Sequence, residues 1–148
     1  MAWGEVGAEQ LERLAAILDR VGRAERFRLV ALHHPPLPGQ SSRSRGLKDD
    51  VELERVLAAH GAELVIHGHH HRDMFVLCKW AQGPAAVVGA ASASLGRARH
   101  GEPLARYNLY RIEPGRPWRV SLRVRGLAAP GGPVVELERR EFRLGSPP

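Results

Sequence analysis

The 148-residue chain has a single cysteine, Cys78, few aromatic side chains and almost no lysine. One cysteine excludes an internal disulfide framework and points to a reducing compartment, so a cytoplasmic protein is expected. Aromatic residues are 5% of the chain, too few for the interleaved aromatic and basic surface of a single-stranded nucleic-acid binder. No apolar run approaches the ~18 residues of a membrane span, so no membrane partner is expected. The opening MAWGEVGAEQLER carries acids where a signal peptide needs a basic start and an apolar core. Two further residue types are scarce: Asp stands only at positions 19, 49, 50 and 73, and Asn only at 108.

What is present is the composition of one globular domain, 43% hydrophobic and 26% charged. The net charge is +6, and all basic residues except Lys48 and Lys79 are Arg. They are scattered without a run of five, so nucleic acid is an unlikely partner, although a basic surface favours anionic ligands. Histidine is abundant: five of the eight stand at 33, 34, 69, 70 and 71.

The apolar spacing predicts a helix over 8–22, with Leu11, Leu14, Ile17, Leu18 and Val21 on one stripe and Gly22 as its stop. Phe27 to Leu32 reads as a strand buried on both faces, ended by His33-His34-Pro35-Pro36. A Ser-, Gly- and Arg-rich loop over 37–46 follows, whose Arg43 and Arg45 are either solvated or in contact with an anion. Asp49 and Glu52 form a capping-box pattern opening a second helix, which His60-Gly61 ends. Leu64-Val65-Ile66 is a short strand leading into His67-Gly68-His69-His70-His71, where Gly68 permits a sharp turn. This order is βαβ grammar, so an α/β fold is expected.

The second half predicts strands at 74–78 and 85–90, then a hairpin of 104–112 and 118–124 about Glu113-Pro114-Gly115-Arg116. Trp118, Val120, Leu122 and Val124 alternate with Arg119, Ser121 and Arg123, which leaves one face wet. A loop, a last strand over 134–144 and a frayed tail over 145–148 complete the chain.

Both histidine groups directly follow apolar strands, and ligands in open α/β sheets bind at the carboxyl ends of strands. A lone histidine there is more often structural, and a His run can hold metal adventitiously. Two groups in the same context argue for a designed cluster. Neutral imidazoles converging from two strands suit Zn, Mn, Fe, Co or Ni.

These residues resemble those of the calcineurin-like metallophosphoesterases. The resemblance rests on His33-His34-Pro35-Pro36 after one strand and Gly68-His69-His70-His71, a Gly-His-x-His element, after another. Val87 to Ser94 and Ala105 to Ile112 resemble the cyclic-nucleotide and glycerophosphodiesterase-like branch, and the match spans roughly 7–112. The resemblance implies an α/β sandwich and a hydrolase of phosphate mono- or diesters that uses two divalent transition metals. It implies His33, His69 and His71 as metal ligands, with His34 the second choice for the first, His70 pointing away and His67 supporting or structural.

The family's Asp-x-His, Gly-Asp-x-x-Asp and Gly-Asn-His-Asp/Glu motifs are missing, since no Asp or Asn here has the required neighbours. Neutral nitrogen does not replace a bridging carboxylate. The chain therefore reads as the C-terminal half of such an enzyme, with 1–126 in that domain and 127–148 as loop, terminal strand and tail. It is expected to be inactive alone, to hold at most one metal weakly, and to be completed by a missing N-terminal half or a second copy. The alternative is a non-catalytic metal-binding or interaction module, in which His33, His69, His71 and Asp73 hold one structural zinc.

Overall fold

A computed structural model describes residues 3–97 and 101–146. Its elements are α1 (Ala8–Arg23), β1 (Leu29–Ala31), α2 (Asp50–His60), β2 (Leu64–His67), β3 (Met74–Trp80), β4 (Gly83–Gly89), β5 (Arg106–Glu113), β6 (Trp118–Leu127) and β7 (Val134–Leu144). They form two sheets. The first has the order β1-β2-β4-β3, with β1, β2 and β4 parallel and β3 antiparallel to β4. The second is an antiparallel meander, β5-β6-β7. The helices pack on one face of the mixed sheet and the meander on the other, giving a partial α/β sandwich.

Alternation within the strands sends side chains to two cores. Val65 and Val87 join Leu11, Leu18, Leu53 and Leu57 on the helix side. Leu64, Ala86 and Val88 meet Val120, Leu122, Val124 and Leu144 of the meander. The wet-face reading of 118–124 holds, because Val120, Leu122 and Val124 are buried and Arg119 is exposed.

Several local expectations change. The 27–32 strand is not buried on both faces: β1 spans only three residues at the sheet edge, and Leu29 is 46% exposed. Asp49 does not cap α2 with its side chain. Its carboxylate instead accepts the Val6 and Gly7 amides at 2.8–3.1 Å, just before α1. That satisfies free amides at the start of the other helix, so the cap acts across space rather than along the chain. Pro35 and Pro36 are fully buried and Leu37 joins the helix-side core, so this segment anchors the turn after β1. The tail is held at its first residues, with the Gly145 amide donating to the Pro84 carbonyl and Ser146 to that of Gln82. Pro147 and Pro148 lie outside the described residues.

Candidate metal centre at the carboxyl ends of the strands

Parallel pairing in the register Leu29↔Leu64 to Ala31↔Ile66 brings the two histidine segments side by side. The Gly68 amide donates to the His33 carbonyl at 3.0 Å and continues the link past the ladder. His33 Nε2 and His69 Nδ1 then lie 3.2 Å apart. The His34 ring packs on His69 at 4.4 Å and on His33 at 5.0 Å, and the His70 ring lies 5.2 Å from His69. Four imidazoles thus form one cluster, held on short loops by a buried sheet.

The turn is made differently from the expected glycine hinge. Its left-handed residues are His69, with φ of 69°, and His71, with φ of 52°. Histidine tolerates this region better than most side chains, yet the conformation still costs of the order of 1–3 kcal/mol. Left-handed backbone at His69 and again at His71 separates the two side chains. His71 Nδ1 faces Glu102 at 3.4 Å, and the His33–His69 contact does not include it. His70 does not point away: its Nε2 bonds Ser41 Oγ at 2.7 Å and ties the 37–46 loop to the cluster.

Burial holds His69 below its ordinary pKa, repulsion from His34, His70 and His33 adds to this, and a backbone interaction with Arg45 opposes it. Burial likewise lowers His67, opposed by its bond to the Gly68 carbonyl and reinforced by His70. His67 is 4% exposed, and its Nε2 and that of His69 have no hydrogen-bond partner among the described residues. Gly89 permits this burial, since a Cβ there would lie 2.8 Å from His67 Cε1 and 2.9 Å from Met74 Cβ.

The donor set suits a single nitrogen-bound cation. Two nitrogens on one tetrahedral zinc, each about 2.0–2.1 Å from it, lie about 3.3 Å apart, close to the His33–His69 spacing. The set does not suit a bridged metal pair, because no carboxylate enters it. Asp73 Oδ2 accepts from Arg106 Nη1 at 2.6 Å. Among the described residues, no three His, Cys, Asp or Glu side chains are already arranged around a metal position.

Sequence reasoning missed Ser41, Glu102 and Arg106, each of which meets its partner only through folding. It also missed a buried pair at the opposite ends of β1 and β2. Arg28 donates to Glu63 through its backbone N, Nε and Nη2 at 2.6–3.0 Å, and through Nη1 to the His60 carbonyl at 2.7 Å. The signal was present: Arg28 and Glu63 each directly precede a strand, and parallel register sets them together.

No family model matches the chain, and no curated protein matches it. Among solved structures, the chain is similar to GAP50, the anchor in the inner membrane complex of Plasmodium, with a TM-score of 0.52 and 13% identity over 98% of this chain and 49% of that one. It is also similar to Vps29 of Entamoeba histolytica, solved with Zn, at a TM-score of 0.39 and 12% identity over 76% of this chain and 52% of that one. The chain spans about half the length of both structures. The likeness to GAP50 is one of fold, and it is carried by nearly all of this chain.

Proposed function

We propose that the chain carries the nitrogen-donor half of a calcineurin-like metallophosphoesterase site and that, when completed, it hydrolyses phosphate mono- or diesters. The observation that carries this reading is the 3.2 Å approach of His33 Nε2 and His69 Nδ1 at the carboxyl ends of adjacent parallel strands. His33 and His69 hold one divalent transition metal; His71 joins them only if its turn rearranges away from Glu102. A cation held by His33 and His69, from Mn, Fe, Zn, Co and Ni, would polarise a phosphate oxygen, and among the described residues no carboxylate for a bridged second cation enters the cluster. The chain alone therefore binds one metal weakly and turns over no phosphoester.

The test is a calorimetric zinc titration of the full chain and of His33→Ala and His69→Ala, with bis(p-nitrophenyl) phosphate turnover measured alongside. One weak site per chain, lost in both variants, with negligible turnover, is the expected result. Zinc binding that survives both substitutions removes the assignment, as does full turnover by the unaided chain. Stoichiometric tight zinc whose removal unfolds the chain instead makes the protein a structural metal module.

A further inference from the structure

We propose that Ser41 is a positioning residue for the histidine centre: through its bond to His70 it holds the 68–71 turn in the conformation that keeps His69 beside His33. The inference rests on the reading of that centre as a cation site, and it names what fixes the geometry there. The turn needs an external hold. His69 and His71 both adopt left-handed backbone, with φ of 69° and 52°, and such residues persist only where the surrounding structure over-determines them. His70 stands between the two, and its Nε2 is bonded to Ser41 Oγ at 2.7 Å, across 29 positions of sequence.

Ser41 is itself firmly placed. Before it, Leu37 lies in the helix-side core, and the Gln40 amide donates to the Leu37 carbonyl at 3.2 Å. After it, the Arg45 and Gly46 amides both donate to the Ser42 carbonyl at 2.9 Å and close a tight turn. Gly46 is buried against Ser41: a Cβ on it would lie 2.8 Å from Ser41 Cβ and 3.6 Å from Oγ. The Gly46 carbonyl accepts from the Gly4 amide at 3.1 Å, and the Gly4 carbonyl accepts from the Lys48 amide at 3.0 Å.

The same loop reaches the centre at two further points. The Arg45 backbone interacts with the His69 ring. Gly4, joined to the end of the loop, backs the His34 ring so closely that a Cβ on it would lie 2.9 Å from His34 Cε1. Both histidine segments are thus gripped from one side by 41–48 and Gly4, while the sheet and the bond from the Gly68 amide to the His33 carbonyl tie them to each other. Contacts of this outer kind orient ligating histidines, and their loss commonly lowers metal affinity by about 10–100-fold. Ser41 Oγ is engaged by His70, so it acts on a cation only through the turn.

The experiment is calorimetric zinc titration of the full chain and of Ser41→Ala, Ser41→Thr, His70→Ala and the Ser41→Ala/His70→Ala double variant. The His33–His69 ring contact is read alongside by NMR cross-peaks in the metal-free proteins. Ser41→Ala should weaken zinc binding by about tenfold and remove the cross-peaks, with thermal unfolding little changed. Ser41→Thr keeps the hydroxyl and should restore both. His70→Ala should match Ser41→Ala, and the double variant should weaken binding no further. Undiminished zinc binding or unchanged cross-peaks in Ser41→Ala overturns the proposal, as do equal losses in Ser41→Thr or a fully additive double variant. The metal-free spectra separate the two readings. Cross-peaks that depend on Ser41 in a chain that binds no zinc leave the positioning role standing, and zinc binding indifferent to Ser41 leaves only the metal site standing.

Discussion

The two ends of the β1–β2 pair solve opposite problems with residues at equivalent positions. At the amino end, Arg28 and Glu63 are two buried charges that satisfy each other and the end of α2. At the carboxyl end, His33, His34, His69 and His70 crowd together, with His69 Nε2 unsatisfied and its backbone left-handed. The first arrangement is complete in itself and rigidifies the chain. The second leaves a buried polar atom without a hydrogen-bond partner among the described residues. A satisfied ion pair and a crowded imidazole cluster thus stand at opposite ends of one strand pair.

The comparison breaks most visibly at the paired end. Glu63→Ala leaves the Arg28 guanidinium buried without its carboxylate, and urea unfolding should show a loss of about 3–5 kcal/mol. An unchanged midpoint would mean that the pair is solvated in solution. Next in size is Gly89→Ala, whose Cβ must displace the His67 ring or the Met74 backbone segment. Overpacking of this kind costs about 1–3 kcal/mol, readable in the same melts.

At the histidine end the sign reverses. His69→Gly relieves a left-handed non-glycine residue, so thermal unfolding should show a gain of about 1 kcal/mol together with the loss of zinc binding. A loss of stability would show that the imidazole is a structural element. The smallest effect is expected at Cys78, on the edge strand β3. Burial raises its thiol pKa and Glu54 adds to this. Its reaction with a disulfide reagent at about pH 8 should be slower than that of a free thiol, whose pKa is about 8.5. Equal rates would mean that the helix-side core opens.

Much of the fold was legible because its signals are local. Leu11, Leu14 and Leu18 at helical spacing gave α1, and Val120, Leu122 and Val124 in alternation gave β6 with its inner and outer faces. The hairpin about Glu113 to Arg116 and the span of β7 were readable for the same reason. The histidine cluster was legible at one remove, through the rule that ligands gather at the carboxyl ends of parallel strands. Asp49 was misread because its carboxylate had a better use across space, at the start of α1. The resemblance sets His71 beside His69 as a ligand, whereas left-handed backbone at both residues turns it toward Glu102. The apolar run of Phe27 to Leu32 predicts burial on both faces, because composition alone does not distinguish a buried strand from an exposed edge strand.

By itself the sequence determined the α/β class, the elements and the two imidazole segments, because helical and strand periodicity and turn chemistry act within a few residues. It also determined that no Asp or Asn here has the neighbours of the motifs that the resemblance would require. Only the tertiary structure decided which histidines meet, which charges are buried together and which sheet edge stands open. Those depend on register between strands roughly 35 residues apart, as Leu29↔Leu64 is, and a local pattern carries no information about the partner across the ladder.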